Sequence, residues 1–572
     1  MVDIIEREWQ FDAADLSVVE RWLESQPVHA PFAFALGEPK DQVDIYLDTA
    51  DWRVHRAGFT LRRRAKGDRY EATLKSLDRG HGDLSARREV TEALDGPEIL
   101  GGDGEVATRV RTIAAAEPLA PLVEVRTRRR PVAVLRHGHA VASVDLDETA
   151  LLHDGAVAGT LRRVEVEVIE PAIERELAGF VKTLARDCGL TPATTSKFEA
   201  ALAAASLSPR AALDFGSTVL DPSAGAAEYG FVWLRRHWAE FLHHEPGTRL
   251  GEDIEALHQM RVATRRLRAT IALFRAVLPA RLETLRDELQ WAGHELGAVR
   301  DLDVQIEGMQ ALQAAAPEEE AYALAPLVAI LEEQRVEERA RLIELLDSAR
   351  YATMVAAMSA ALREGPPPAI PPTEVRGFAA PILTRRVRAV RRDGGRLTPG
   401  SPPVEFHALR IRGKRLRYSL ELFGDLYGRP AQRMTESVKR LQDLLGEHQD
   451  ADVMIEWLRA TVRTHTDRLP PETLVAVGEL IARQREIMAA RRAAFRPVFR
   501  EVAGPRWRAL ERALRERPRP PSPPPDPPAP AVTAPPSEAS ATPAPDALDA
   551  PAPTNGGANG GALSRMRQLF HL

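Results

Sequence analysis

The sequence predicts two unlike halves: an α+β half with many antiparallel strands over residues 1–205, and an all-α half over 226–516 made of two duplicated helical halves. Three observations carry this. Short runs of alternating polarity crowd the first part of the chain, and long Ala/Leu/Arg/Glu segments at helical period follow. The stretch His258-Gln-Met-Arg261-Val-Ala-Thr-Arg265-Arg266-Leu-Arg268 then recurs 149 residues on as His407-Ala-Leu-Arg410-Ile-Arg-Gly-Lys414-Arg415-Leu-Arg417. The same offset carries Ile271 to Leu420, Phe274 to Phe423, Leu296-Gly297 to Leu445-Gly446, Asp301 to Asp450 and Asp303 to Asp452, so a helical unit has been duplicated.

In chain order, strand-like runs fall at 4–11, 42–48, 58–65, 69–77, 86–90, 123–130, 140–147 and 162–169, with helical patterns near 15–26, 106–115 and 172–188. Residues 206–225, with Pro, Gly and Ser, read as a linker. The helical half divides at the proline-rich 365–372 into halves of about 226–364 and 373–516. Residues 517–572, dominated by Pro and Ala, offer too little apolar surface to fold and are expected to form a disordered tail.

Composition limits the function classes. With 44% hydrophobic residues the chain can build ordinary cores, and a net charge of −5 excludes global basicity of the nucleic-acid-binding kind. Any polyanion site must come from segregated charge, and nucleic acid is not an expected partner. One cysteine, Cys188, rules out an intramolecular disulfide framework. The sequence shows neither an apolar leader nor an 18-residue apolar span, so no stable membrane insertion is expected and the chain reads as soluble and cytoplasmic.

The charge is segregated in both halves. Side chains alternate faces along a strand, which groups Glu6 with Glu8, Glu165 with Glu167, Asp145 with Asp147, Arg62 with Arg64, Thr73 with Lys75, and Arg126 with Arg128 and Arg130. Solvated sheet faces would give alternation too, but they usually mix opposite charges. Carboxylate strands beside guanidinium strands suit a closed or strongly curved sheet with a polar interior, where carboxylates gather a hard cation and arginines hold phosphate oxygens. On the repeated helix, His258, Arg261, Arg265 and Arg268 share an arc of roughly 80°. Met260, Ala263, Leu267, Ile271 and Phe274 lie opposite. A column of like charges costs helix stability, and its retention in two copies points to a polyanion that relieves the repulsion.

Glu6-x-Glu8 near the N-terminus, followed by Phe11, resembles the ExExK signature of the CYTH, or triphosphate tunnel metalloenzyme, family. Further matches are Tyr46-Leu-Asp48-Thr49, the 57–64 stretch ending Leu61-Arg62-Arg63-Arg64, Thr73-Leu74-Lys75, Asp145-Leu146-Asp147, Glu165-Val-Glu167 and Ser196-Lys197. The duplicated half resembles the CHAD domain through its paired His-x-x-Arg…Arg/Lys-Arg-x-Arg motifs. The first resemblance implies an eight-stranded antiparallel β tunnel with flanking helices, acting on triphosphates with Mg²⁺ or Mn²⁺. By position, Glu6, Glu8, Asp147, Glu165 and Glu167 would be metal ligands. Arg62, Arg64, Lys75, Lys197 and one of Arg128 or Arg130 would be triphosphate ligands, and Glu6, Glu8 and Gln10 would be catalytic. The second implies inorganic polyphosphate bound by His258, Arg261, Arg265, Arg266, Arg268, His407, Arg410, Lys414, Arg415 and Arg417, with association to polyphosphate granules as a further expectation.

Gln10 stands where the tunnel family has lysine. An amide orients water but is no general base and brings no charge. Three readings follow: a metal-dependent hydrolase of tripolyphosphate or a nucleoside triphosphate, a polyphosphate-binding module with little turnover, and, last, an adenylate cyclase, for which no adenine pocket is visible in the sequence.

Overall fold

The structure, a computed structural model, describes residues 4–26, 31–66, 69–78, 84–209, 213–366 and 373–516. The expected tail at 517–572 lies outside them. The strands are β1 (Ile4–Asp12), β2 (Ala33–Leu36), β3 (Lys40–Thr49), β4 (Phe59–Lys66), β5 (Arg69–Ser76), β6 (Ser85–Leu94), β7 (Leu119–Arg136), β8 (His139–His153), β9 (Ala156–Val168) and β10 (Thr191–Pro192). Among them lie helices α1 (Leu16–Glu24), α2 (Arg53–Arg56), α3 (Glu105–Ala114), α4 (Glu174–Cys188) and α5 (Lys197–Ala204).

Every strand pairing is antiparallel, and the order β1-β6-β5-β4-β3-β7-β8-β9 returns to β1 through a β1–β9 pairing, closing an eight-stranded barrel. β2 adds to β7 and β10 to β1 at the rim. The long strands β7, β8 and β9 are joined by two-residue turns, His137-Gly138 and Asp154-Gly155, all four residues at positive φ. That is the turn whose twist matches the flanking strands. Period-two alternation then sorts side chains. On β1, Trp9 and Phe11 join a core with α1, α4 and β8–β9, while Glu6, Glu8 and Gln10 point inward. A second core seats α3 on β4–β6. A third, around Trp52 and Phe198, seats α5 on β7 and β8.

The helical half contains α6 (Ala226–Leu250), α7 (Ile254–Phe274), α8 (Ala280–Ala315), α9 (Glu318–Leu346), α10 (Ala349–Glu364), α11 (Val375–Arg396), α12 (Pro403–Phe423), α13 (Arg429–Thr464), α14 (Pro471–Ala503) and α15 (Pro505–Arg515). The chain forms two compact units. Among the described residues, one takes in those of 4–220, 227–301 and 336–366, and so joins the barrel to the first helices; the other takes in 221–226, 302–335 and 373–516. In the first unit α7 buries Met260, Ala263, Leu267, Ile271 and Phe274 against α6, α8 and α10, the stripe its periodicity predicts. Asp253 caps that helix by accepting from the Glu255 amide. In the second, α12 buries Leu409, Leu416, Leu420 and Phe423. Among the described residues no helix is long and apolar enough to cross a membrane.

Candidate functional site

The barrel interior is a lumen of about 270 Å³, lined from every strand of the barrel and from the start of α5. Its lining carries eight carboxylates, on Glu6, Glu8, Asp44, Glu71, Glu89, Asp145, Glu165 and Glu167, and six cations, on Arg62, Arg64, Lys75, Arg87, Arg129 and Lys197. Tyr46 and Phe198, rings 4.9 Å apart, are the aromatic residues of the lining.

The charges are sorted into clusters. Lys75 contacts Glu6, lies 3.2 Å from Glu8 and lies 3.7 Å from Glu89. Although burial favours its neutral form, Glu8, Glu6 and Glu89 together hold the Lys75 ammonium charged far beyond the usual range. Arg64 forks onto Asp44 at 2.6 and 2.8 Å, and Arg62 reaches Thr73 at 3.1 Å. Burial would raise the Asp44 carboxyl, but Arg64 and Arg62 prevail and hold it below its ordinary value. Arg129 donates to Asp147 at 2.8 and 2.7 Å, to Asp145 at 2.5 Å and to Glu165 at 2.6 Å. Lys197, the first residue of α5, contacts Asp147 and lies 2.8 Å from Glu165. Lys197 and Arg129 outweigh burial at Glu165 and hold its carboxyl well below the carboxylate range.

The remaining acids are crowded. Glu167 is pushed up to about 7 by burial and then by Glu6, Glu8 and Asp145. Asp145 rises to about 6, since burial outweighs its share of a guanidinium that serves three carboxylates. Glu8 also rises, through burial and the charges of Glu6 and Glu165 against the opposing pull of Lys75. The Gln10 amide donates to Glu8 at 2.9 Å and to Glu165 at 3.4 Å, bridging the two as a neutral group.

Of the residues the sequence singles out, Glu6, Glu8, Gln10, Glu165, Glu167, Arg62, Arg64, Lys75 and Lys197 share this lumen. Arg128 and Arg130 do not. Arg128 is exposed and Arg130 pairs with Glu20 on α1, because Thr127 and Arg129 hold the inward parity of β7. Asp147 lies behind the lining, fully buried and committed to Arg129 and Lys197, while Asp145 two residues earlier lines the cavity. Sequence reasoning missed Arg129, Asp44, Glu89 and Arg87 as lining residues, and it placed Asp145 on the inward face of its strand without giving it a ligand role. The buried neighbours Val123, Val125 and Thr127 carried the parity signal for Arg129.

Among the described residues no group of three or more His, Cys, Asp or Glu side chains is arranged to hold a metal ion. Lys75 and Gln10 instead lie against the carboxylates of β1 and β9. The donor set nonetheless fits a hard divalent cation in chemistry: all donors are carboxylate oxygens, they outnumber the lumen's cations, and burial together with neighbouring acids raises Glu8, Asp145 and Glu167 above the ordinary carboxylate value.

In the helical half the histidine and the first arginine of the two motif copies use partners related by the repeat offset. Arg261 lies 3.0 Å from Asp301, and Arg410 lies 3.9 Å from Asp450. His258 Nδ1 accepts from Arg300 at 3.3 Å, and His407 Nδ1 meets Gln449 at 2.6 Å, Arg300 and Gln449 being related by the repeat offset. Burial, then Arg300, lowers the His258 imidazole to about 4. Arg268 donates to Gln290, and Arg417 lies 3.3 Å from Glu421. Arg266 and Arg415 are exposed, while Arg265 and Lys414 are half-buried. Asp303 pairs with Arg335 instead of a motif arginine.

A closed antiparallel barrel with a charged lumen, followed by a duplicated helical region, defines a tunnel-type domain joined to an all-α one. The chain carries a CYTH domain followed by a CHAD domain: the CYTH family model matches residues 29–201 and the CHAD model 233–459. β1, with Glu6, Glu8 and Gln10, precedes the matched range. Two uncharacterised proteins of Mycobacterium tuberculosis are each 26% identical over 463 residues, spanning 73% of this chain and 82% of their own. The solved CHAD domain of the plant Ricinus communis is 27% identical, covering 49% of this chain and 93% of its own, at a TM-score of 0.42. A putative adenylyl cyclase of Hippeastrum, described with a dominant triphosphatase activity, is 20% identical over 35% of this chain and 96% of its own, at a TM-score of 0.26. CYTH domains are in general metal-dependent.

Proposed function

We propose that the barrel binds a short polyphosphate, with inorganic tripolyphosphate the leading substrate, and hydrolyses its terminal phosphoanhydride with Mg²⁺ or Mn²⁺. In the same reading the basic columns of the helical half bind longer inorganic polyphosphate. One observation carries the first part: a lumen of about 270 Å³ sorts its eight carboxylates and six cations into clusters instead of neutralising them evenly. Arg62, Arg64, Lys75, Arg129 and Lys197 would exchange their present carboxylates for phosphate oxygens. Glu6, Glu8, Asp145 and Glu167 would hold the cation, which when bound supplies charge neutralisation for the phosphates and the leaving group. Gln10, tied to Glu8 and Glu165, would orient the attacking water by hydrogen bonding. The scarcity of apolar lining beyond Tyr46 and Phe198 favours an inorganic chain over a nucleotide.

Gln10 also motivates a second reading, a lumen that binds strongly and turns over slowly, since this amide supplies neither charge nor basicity. Phosphate release from tripolyphosphate by the full chain, with Mg²⁺ or Mn²⁺ and with chelator, separates the two. Release that requires metal and disappears in Glu6→Ala establishes the enzyme. Tight binding without release in either metal establishes the binding module.

A further inference from the structure

Behind the wall formed by Tyr46 and Phe198 lies α2, a single helical turn whose anchorage is out of proportion to its length. Asp48, at the end of β3, accepts from the amides of Thr49, Val54 and His55 at 2.7, 2.8 and 2.8 Å. The Thr49 hydroxyl accepts from the Arg53 amide at 2.9 Å. The His55 ring packs 6.5 Å from Phe198, whose neighbour Lys197 enters the lumen.

From the other side α2 sends two buried guanidiniums into the helical half. Arg53 meets Glu245 of α6 at 2.5 Å and donates to the Ile113 carbonyl at 2.7 Å. Arg56 donates to the Leu242 carbonyl of α6 at 2.5 Å. Glu245, only 3% exposed, is shared with Arg249, which in turn holds the Leu346 carbonyl at 2.6 Å. At the rim Glu252 receives Arg88 and, at 3.0 Å, Arg109. Buried charge of this kind tolerates no unpaired partner, so α2 can move only if α6 moves with it.

We infer that Arg53 and Glu245 are positioning residues through which the helical half sets the seat of Phe198 and Lys197 in the lumen. This rests on the tunnel reading above, because it assigns these residues an effect on triphosphate binding. It gives the joined barrel and helices a purpose beyond tethering: the first helical segment is part of what shapes the tunnel.

The test uses the full chain and tripolyphosphate with Mn²⁺, with KM and kcat measured alongside melting temperature and affinity measured by calorimetry. Arg53→Lys retains the charge but cannot reach Glu245 and the Ile113 carbonyl together, and Arg53→Gln with Glu245→Gln removes both charges so that neither is left unpaired. Both are expected to raise KM and Kd at least about 3-fold with kcat held within about 2-fold. A merely structural role would instead lower the active fraction, reducing kcat at unchanged KM. Unchanged KM and Kd in either variant that melts within a few degrees of wild type overturns the inference, as does a fall confined to kcat. Should either variant fail to fold, the other decides. Wild type that does not bind tripolyphosphate at all defeats the tunnel reading itself, a separate outcome.

Discussion

Arg129 forks onto Asp147, Nε to one carboxylate oxygen at 2.8 Å and a terminal nitrogen to the other at 2.7 Å, with the acid completely buried. The same guanidinium reaches Asp145 and Glu165, so one side chain ties the base of the lumen together. Arg129→Ala leaves Asp147 with Lys197 alone, and breaking a buried pair in this way costs about 3–5 kcal/mol. We expect a lower melting temperature and loss of tripolyphosphate binding. Arg128→Ala, at an exposed position on the outer face, is expected within about 0.5 kcal/mol of wild type with full binding. Thermal melts and calorimetry on the pair check both.

Asp48→Ala removes a carboxylate that satisfies three backbone amides of the 49–55 segment. Caps of this kind are worth about 1–2 kcal/mol, and buried amides left without an acceptor add to that. Chemical denaturation should show a fall of at least about 2 kcal/mol. Asp48→Asn, which keeps one acceptor oxygen, should lose less.

The crowded acids predict a pH-dependent response to metal. Glu167 and Asp145 have folded-state pKa values of about 7 and about 6 against ordinary values of 4.5 and 3.8. Both are raised, so in the cation-free chain their contribution to stability is present below the ordinary values and is lost as pH rises through 6 and 7. A bound cation requires the ionised forms and removes that loss. The rise in melting temperature on adding Mn²⁺ should therefore be large at pH 8 and shrink steadily toward pH 5.5. Glu167→Gln should flatten the upper part of the curve. A shift of equal size at both pH values would count against the carboxylate site.

For the helical half, Arg265→Glu combined with Arg415→Glu should weaken retention on immobilised long-chain polyphosphate, and retention by wild type should fall steeply with salt. Binding unaltered by both changes would dissociate the basic columns from polyphosphate.

Much of this architecture can be read in the sequence because closure of a sheet around charge imposes alternation. All eight expected strand runs become strands of the barrel, and both repeat helices bury their expected stripes. What escaped had physical causes. β2, β10 and α2 are too short for a period to register, and α2 owes its form to Asp48. Three consecutive arginines, 128–130, carry no information about face, because the outer surface of β7 is cationic as well and charge type alone cannot choose. Parity puts both Asp145 and Asp147 inward, and alternation does not tell the acid that lines the cavity from the one sealed against Arg129 and Lys197.

Closure of the barrel through β1 and β9 sets an order of events in synthesis. Glu8 and Gln10 lie in the first strand of the barrel, yet their neighbours in the sheet, Glu167 and Glu165, lie in its last. At about 5–20 residues per second the leading strand waits on the order of ten seconds or more for its partner. During that wait Trp9 and Phe11 lack the β8–β9 side chains that cover them in the folded barrel, so the pairing that closes the sheet is also one of its most non-local.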